Sequence, residues 1–270
     1  MVNGGAEAIA VLNTGISRKK NKFAAMQQVY FEDLGQMGYQ VAWDYQENLL
    51  RQNVNRKSLA RNGDTPAGAG HMAAHAGLIA TRHHLLLVEH PPVYTLGKSG
   101  KIENVLINEE EMHARGIDFF YTNRGGDITF HGPGQIVGYP VLDLEKFYTD
   151  IGRYLRNLEE VIILTMADYG LSGERSAGET GVWLQPGIPG KERKICAIGV
   201  RCSRWVTMHG FAFNINTNLD YFNYIIPCGI QNKQVTSLSR ELNRAIAVTA
   251  VKEKLKTNFE KVFDAELVLP

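Results

Sequence analysis

The stretch RGGDITFHGPGQ, Arg124–Gln135, places four glycines and one proline around a short β-like run, DITF. Glycine loses more conformational freedom on folding than any other residue, so this concentration beside one strand requires a reason. Turns that need a positive φ are one reason, and a ligand that approaches the backbone too closely for any Cβ is the other. The stretch is neither a dinucleotide fingerprint nor a P-loop, because no GxGxxG opens a helix and no GK[ST] follows.

The composition predicts a globular protein with a substantial core. The chain has 270 residues, of which 44% are hydrophobic and 21% are charged. Its formal net charge of +1 gives no general reason to expect a nucleic acid or a membrane surface as a partner. No apolar run is long enough to predict a transmembrane helix.

The cysteines and the N-terminal residues indicate the cellular compartment in which we expect the protein. Cys196, Cys202 and Cys228 are an odd and small number, which argues against a disulfide framework and favours the reducing cytoplasm. The N-terminal residues lack the basic and long apolar regions of a secretory signal, and the basic run Arg18–Lys22 lacks the pattern of a transit peptide. We therefore expect a cytoplasmic protein.

The hydrophobic pattern predicts one α+β domain. Residues 1–25 are weakly patterned and are expected to be a flexible tail, whereas no linker divides residues 26–270. Strand-like runs are bunched instead of alternating with helices, which favours a mixed β-sheet with helices packed on one side. The predicted strands are QVYFEDLG, HLLLVEH, VYTLG, IDFFYTN, DITF, QIVGYPVLDL, GVWL, KICAIGVRCSRW and VTMHGFAFNIN. The predicted helices are Tyr39–Lys57, a short helix before His84, Ile151–Gly170 with Asp150 as its N-cap, and Ala247–Phe263. A loop is expected over Arg61–Gly70.

Two residues are candidates for chemistry. Cys228 lies between Pro227 and Gly229, which would hold a thiol at a turn; the alternative is a buried cysteine that acts as a small hydrophobic residue. Lys194 opens an otherwise apolar strand. It is either a solvated charge at a sheet edge or, close to a cysteine, a cation that favours the reactive thiolate.

The sequence gives little support to a metal site. Cys196, Cys228 and His209 match no common zinc spacing. His71 and His75 are four residues apart, a spacing that binds metals on a helix, but without a third ligand nearby a surface pair is the favoured interpretation. We therefore expect no metal.

Several segments together resemble one family. The segments VEHPPVYTLGKSG, RGGDITFHGPGQIVGYPVLDL, GVWL, KICAIGV, HGFAFNIN and IIPCGI with VTSL look like those of the lipoyl(octanoyl) transferases, in the same order, over roughly Gln28–Arg240. The resemblance implies a fold similar to the catalytic domain of biotin and lipoate protein ligases. The N-terminal tail and the Arg61–Gly70 insertion depart from the family pattern.

The resemblance implies a reaction and its partners. An octanoyl group would move from octanoyl-acyl carrier protein to a lysine of lipoyl domains, namely those of 2-oxoacid dehydrogenase E2 subunits and the glycine cleavage H protein. This is the first step of endogenous lipoate biosynthesis. A thioester donor is already activated, so the reaction needs no ATP and no cofactor.

The resemblance also assigns roles to residues. Cys228 matches the cysteine that becomes the acyl thioester, and Lys194 matches the lysine that lowers the pKa of that cysteine. The residues that match the acyl-binding segments are Arg124, Gly125, Gly126, Asp127, Ile128, Thr129, Phe130 and His131, then Ala197, Ile198 and Gly199, then Gly210, Phe211 and Ala212.

Two alternatives of other classes stay open at this point. An ATP-dependent lipoate or biotin protein ligase would share the fold, but would need an adenylate site and no nucleophilic cysteine. A non-catalytic protein that binds acyl groups or lipoyl domains would keep the glycines, but would not need both Cys228 and Lys194.

Overall fold

The architecture is that of an eight-stranded mixed sheet accompanied by a three-stranded sheet. The computed structural model describes residues 26–62, 80–226 and 234–270. In these ranges the strands are β1 (Gln27–Gln36), β2 (His83–Glu89), β3 (Val93–Leu96), β4 (Asp118–Tyr121), β5 (Ile128–His131), β6 (Gln135–Val141), β7 (Val182–Leu184), β8 (Arg193–Ser203), β9 (Val206–Asn214), β10 (Gln234–Val235) and β11 (Ala265–Val268). The large sheet has the order β10-β8-β9-β6-β2-β1-β11, with β7 also beside β8, and the small sheet has the order β4-β3-β5.

Helices cover both faces of the large sheet. Those in the described ranges are α1 (Tyr39–Asn62), α2 (Glu109–Ala114), α3 (Ile151–Ala167), α4 (Leu238–Leu242) and α5 (Val248–Phe263), with 3-10 helices at Ile102–Asn104, Leu144–Lys146 and Leu219–Tyr224. No helix in the described part of the chain is long and apolar enough to cross a membrane.

The prediction of helices on one side of the sheet is wrong. Helices α3 and α5 share one buried cluster with alternate residues of the strands, such as Leu85 and Leu87 of β2. Helix α1 packs on the opposite face, where Leu49 and Leu50 meet Leu86 of the same strand. Because successive side chains of a strand point to opposite faces, the continuous apolar run of β2 requires a helical layer on each side.

The α+β class and most predicted elements are confirmed. Asp150 caps α3 as expected, since its side chain accepts a hydrogen bond from the backbone N–H of Arg153 at 2.9 Å. Helix α1 continues through Arg61 and Asn62, which were assigned to a loop. The rest of that loop and the short helix expected before His84 lie mainly at residues 63–79, outside the described residues.

Two short α-helices, α2 and α4, and two short strands, β10 and β11, were not predicted, and neither were the three 3-10 helices. Helix α2 carried a usable signal, because Asn108 and Glu111 form a capping box: the Asn108 side chain accepts from the Glu111 N–H, and the Glu111 carboxylate accepts from the Asn108 N–H. Strand β11 is only four residues long and lies parallel to β1 at the sheet edge, so its pairing rests on a partner more than 200 residues earlier.

A buried ion pair ties α1 to the rest of the domain. The ammonium of Lys57 donates to Asp143 at 2.5 Å and to the carbonyl oxygen of Arg204 at 2.8 Å. The two side chains are only 6% and 1% exposed. Thr81 donates to the other oxygen of the Asp143 carboxylate at 3.0 Å, so each buried charge has hydrogen-bonding partners. Such a pair is costly to break on one side, because the remaining charge is left buried.

We expect Lys57→Met to lower the free energy of unfolding by about 3–5 kcal/mol, since the carboxylate of Asp143 would lose its cation in a dry site. Arg61→Met is the matched control, because Arg61 is 63% exposed and pairs with Glu145 at 2.9 Å. An exposed pair contributes at most about 1 kcal/mol. Urea unfolding curves measure both changes, and equal losses in the two variants would contradict the assigned role of Lys57.

Candidate active site

A cavity of about 500 Å³ lies where β8, β9, β6 and the Arg124–Asp127 loop meet. This volume is typical of small-molecule sites. It gathers most of the residues singled out from the sequence: Arg124, Gly125, Gly126, Asp127, Ile128, Thr129, His131, Lys194, Ala197, Ile198, Gly199, Gly210, Phe211 and Ala212 all line it. The three segments predicted to bind the acyl chain and the lysine, far apart in sequence, therefore share one cavity.

Two of the singled-out residues are placed differently. Phe130 is absent from the cavity wall; its ring stacks on Tyr221, with centroids 4.5 Å apart, in the core of the small sheet. Its side chain points to the face of β5 opposite that of Thr129 and His131, into the cluster that also holds Tyr94 and Ile225. Cys228 lies at residues 227–233, outside the described residues, together with Pro227 and Gly229.

Close backbone approach explains the glycines around the loop. A Cβ on Gly199 would lie 2.7 Å from the carbonyl oxygen of Gly125, and the N–H of Gly125 donates to the Val200 carbonyl at 2.9 Å. Gly126 has φ +86°, a conformation that side chains rarely adopt. The positive φ of Gly126 is therefore enough to explain the glycine there without any ligand. Contact of these glycines with an acyl chain stays a prediction.

The Arg124 guanidinium anchors the loop. It is 7% exposed and donates to the Thr95 carbonyl at 2.6 Å, to the Thr95 hydroxyl at 2.9 Å and to the Gly125 carbonyl at 3.0 Å. The side chain thus spans from β3 of the small sheet to the loop that crosses β8. These hydrogen bonds satisfy the buried guanidinium, so the loop's structure is enough to explain why an arginine stands at this position.

Further lining residues were not among those predicted from the sequence to line the acyl site. They are Tyr39, Gln135, Val137, Tyr139, Leu155, Glu179, Thr180, Val200, His209, Asn214, Phe222 and Val235. Gln135 and Tyr139 lie within a strand that is buried at every position, so an alternation of buried and exposed residues does not identify them as cavity residues. Glu179 belongs to an ordinary polar turn before β7. Only the fold brings these side chains to the cavity.

A hydrogen-bond network fixes two buried histidines in neutral form. His131 Nδ1 donates to Gln135 Oε1 at 2.8 Å, because the Gln135 amide nitrogen is already donating to Phe130 and Asn214. His131 Nε2 then accepts from the Thr95 hydroxyl at 3.3 Å. Burial holds the pKa of His131 well below its usual value.

His90, beneath the cavity, is satisfied in the same way. Its Nδ1 donates to the Met37 carbonyl at 2.7 Å, so its Nε2 accepts from the Tyr139 hydroxyl at 2.8 Å. Burial lowers the pKa of His90 to about 4. Both imidazoles are therefore uncharged at neutral pH, and each has a partner at both ring nitrogens.

His209 is held by a chain of polar groups. Arg201 donates to the Glu47 carboxylate, which accepts from the Asn123 amide nitrogen at 3.1 Å. The Asn123 oxygen therefore faces His209 and accepts from its Nε2 at 2.7 Å. Burial lowers the pKa of His209 to about 3, with the nearby cation of Arg124 as a second cause. His209 is 1% exposed and adopts a positive φ of 56°.

Lys194 lies at the more exposed end of the cavity. It is the second residue of β8, with β7 on one side and β10 on the other, where Val235 is its parallel partner. Its ammonium lies 3.8 Å from a carboxylate oxygen of Glu179 and 4.5 Å from the centre of the Trp183 ring. The side chain is 13% exposed, so Lys194 is more than a solvated charge at a sheet edge.

The two described cysteines are poor nucleophiles. Cys196 is fully buried in the main core, and burial raises its thiol pKa far above the usual value. Cys202 is exposed near the far end of β8, and partial desolvation of its thiol raises its pKa. The thiolate is the nucleophilic form, so neither site favours it.

No cluster that would hold a metal ion occurs in the described residues. Within residues 26–62, 80–226 and 234–270, no three histidine, cysteine, aspartate or glutamate side chains come together with a geometry that suits a metal ion. The histidine pair at positions 71 and 75 lies outside them.

Solved structures share the fold. A bi-partite lipoate protein ligase from Thermoplasma acidophilum superposes with a TM-score of 0.62 at 15% identity, over 90% of this chain and 87% of that one. A lipoate-protein ligase A bound with ATP gives a TM-score of 0.59 at 13% identity, over 91% of this chain and 88% of that one. At such identities the likeness concerns the fold alone.

Sequence relatives are much closer. The family model described as lipoyl protein ligase A/B catalytic domain matches residues 38–260. A protein named octanoyltransferase from Christiangramia forsetii is 55% identical over 241 residues, 89% of this chain and 97% of the relative. Another from Flavobacterium johnsoniae is 52% identical over 242 residues, 89% of this chain and 99% of the relative. This chain therefore belongs to the lipoyl(octanoyl) transferase family, within the lipoyl protein ligase A/B fold, and is an acyltransferase.

Proposed function

We propose that this chain transfers an octanoyl group from octanoyl-acyl carrier protein to a lysine of lipoyl domains through a Cys228 thioester. One observation carries the proposal: a single cavity gathers the acyl-binding segments and has Lys194 at its more exposed end. Octanoyl is the group in the names of the relatives. The acceptors would be the lipoyl domains of 2-oxoacid dehydrogenase E2 subunits and the glycine cleavage H protein, in the cytoplasm.

The walls of the cavity suit an acyl chain. Val137, Ala197, Phe211 and Ala212 offer apolar surface, and Gly199 leaves room beside the backbone. Each buried methylene contributes about 0.8 kcal/mol, so an eight-carbon chain gains several kcal/mol from such a wall. The exposed fractions of two lining residues indicate how the acyl chain would enter the cavity, because Lys194 is 13% exposed and His209 is 1% exposed. A carrier protein would therefore present its thioester at the Lys194 end, with the chain pointing inward.

The first half-reaction would form the acyl-enzyme. The Cys228 thiolate attacks the carbonyl carbon of the donor thioester, a C–S bond to Cys228 forms, and the C–S bond to the carrier breaks. The leaving thiolate takes a proton from the Lys194 ammonium, which becomes neutral. Val235 pairs with Lys194 and follows Cys228 by seven residues in sequence, a short separation that supports the proposed contact between Cys228 and Lys194.

The second half-reaction would release the product. The amine of the acceptor lysine attacks the acyl-enzyme carbonyl, an amide bond forms, and the Cys228 thiolate leaves. The proton lost from the attacking nitrogen returns to Lys194, which restores the thiolate–ammonium pair. Lys194 thus acts as acid in one step and as base in the next, and neither step needs a nucleotide or a metal.

Two neighbours would position the Lys194 ammonium between these steps. Glu179 offers an opposite charge at 3.8 Å, and the Trp183 ring offers its electron-rich face at 4.5 Å. Both contacts hold the ammonium at this end of the cavity, where the proposal has it act on the Cys228 thiol.

The same proposal includes the extent of the domain. We infer that residues 26–270 form one catalytic domain, because the largest buried cluster joins Val29 near its start to Ala265 near its end.

We expect Cys228→Ser to abolish octanoyl transfer with an unchanged melting temperature, because a serine alkoxide is not accessible where a thiolate is. Intact mass after incubation with octanoyl-acyl carrier protein should show one octanoyl adduct on the wild-type enzyme and none on the variant. Cys202→Ser is the matched control and should keep the adduct. An adduct mapped to Cys196 or Cys202 would contradict the assignment.

Transfer should also proceed without ATP. A strict requirement for ATP, with a free fatty acid as donor, would instead support the ligase alternative.

We expect Lys194→Ala to raise the pH at which Cys228 reacts with iodoacetamide, since loss of the neighbouring cation removes the attraction that favours the thiolate. Alkylation at Cys228 is followed by peptide mass spectrometry between pH 5 and about pH 10, the range in which perturbed thiols titrate. Lys191→Ala removes an exposed charge from the same edge and should leave the profile where it was. Coincident profiles for all three proteins would show that Lys194 does not act on Cys228.

A further inference from the structure

A fully buried carboxylate on α3 has no part in the reaction steps described above. Glu159 is 0% exposed, although a glutamate is almost never fully buried unless it is paired. Its Oε1 accepts from the backbone N–H of Gly181 at 3.0 Å and lies 2.9 Å from Nη2 of Arg156, and its Oε2 accepts from Nε of Arg175 at 3.0 Å. Partners on both oxygens therefore satisfy the buried charge.

The groups bound by this carboxylate lie on the two sides of one loop, residues 174–183. Glu174 and Trp183 exchange two backbone hydrogen bonds of 2.9 Å, which close the loop at its base. Arg175 lies next to this base on one side of the loop, and Gly181 lies near it on the other. The carboxylate therefore ties both sides of the loop to α3.

The same loop carries groups that contact the Lys194 ammonium. Glu179 contributes a carboxylate oxygen at 3.8 Å, and Trp183 contributes the face of its ring at 4.5 Å. Gly181 lies midway between these two residues in sequence, and a Cβ there would lie 3.6 Å from Cε of Lys194 and 2.5 Å from the Cys196 carbonyl oxygen. The hydrogen bond to the Gly181 N–H thus fixes the loop where its backbone lies against the lysine side chain.

We propose that Glu159 is a positioning residue for Lys194, which acts by holding the loop whose side chains contact the ammonium. Glu159 does not line the cavity, so it acts through the loop backbone and not on the acyl group. A displacement of about 1 Å caused by a distant substitution can lower a rate by about 100-fold, so a fixed loop matters to the proton transfers assigned to Lys194. This inference rests on the proposed function.

A positional effect and a direct charge effect of Glu159 differ in sign. Replacing the buried anion by a neutral group leaves the guanidinium ions of Arg156 and Arg175 in place, and the net gain of positive charge favours a thiolate. A direct charge effect would therefore shift the alkylation of Cys228 to lower pH. Displacement of the Lys194 ammonium would shift it to higher pH.

The test is Glu159→Gln, because whichever way its amide turns, the NH₂ group faces a donor on one side of the former carboxylate. We expect kcat/KM for octanoyl transfer to fall about tenfold. The iodoacetamide profile of Cys228 should move to higher pH by at least about 0.5 pH unit. Glu160→Gln is the matched control and should change neither quantity, because Glu160 also pairs with Arg175, at 2.6 Å, but is 39% exposed.

A double variant separates positioning from general destabilisation. In Lys194→Ala the group that Glu159 positions is absent, so adding Glu159→Gln should not move the profile further, whereas an independent structural effect would add to that of the lysine. Should Glu159→Gln fail to fold, Glu159→Asp keeps the charge and draws the carboxylate back from Gly181 by about 1.5 Å, the length of one C–C bond. The same upward shift is expected for that variant.

The outcomes that overturn the inference leave the proposed function standing. They are a profile that stays in place or moves to lower pH in the Glu159 variants, and a shift that persists undiminished in the Lys194→Ala background. If Lys194→Ala alone leaves the profile of Cys228 where it is, the role proposed for Lys194 is wrong, and the positioning role of Glu159 is wrong with it.

Discussion

The close contact between the Arg124–Asp127 loop and β8 is the constraint on which the rest of the site depends. The Gly125 carbonyl lies against Gly199 at a distance that excludes any Cβ, and a Cβ on Gly97 would meet the Gly126 carbonyl at 2.3 Å. Arg124 fastens the same loop to Thr95 of the small sheet. Three backbone segments from two sheets are thereby held together. The space that remains beside them is the cavity, so its shape follows from where glycines permit the backbones to meet.

The cavity is electrostatically asymmetric. At its deep end the histidines are neutral, because burial lowers the pKa of His209 to about 3 and that of His90 to about 4. Their hydrogen bonds are assigned within the protein, apart from Nδ1 of His209. At the other end Lys194 pairs with Glu179. Neutral histidines suit the acyl chain of the proposed reaction, and the localised ammonium of Lys194 suits its thiolate chemistry.

Much of this was accessible from local sequence. Helix α3 was found with its cap because apolar residues recur at helical spacing after Asp150, and β8 and β9 were found from their apolar runs. The order and identity of the motifs indicated the family. The resemblance to that family then indicated Lys194 and the three cavity segments as site residues. The capping box of Asn108 and Glu111 shows that α2 was also within reach of the sequence. These features share one property: the interactions that produce them lie within a few residues of one another.

The sequence by itself thus determined the class of fold, the family and the segments that build the cavity. Only the tertiary structure decided which face each helix covers, since the run of β2 is equally apolar on both sides. It also placed the Phe130 ring in the small core, brought Glu179 to Lys194, and left Nδ1 of His209 without a partner in the described ranges. The physical reason is that burial and hydrogen-bond assignment depend on neighbours distant in sequence. Asn123 and Glu47 fix the His209 tautomer from 86 and 162 positions away, and no local pattern encodes such a contact.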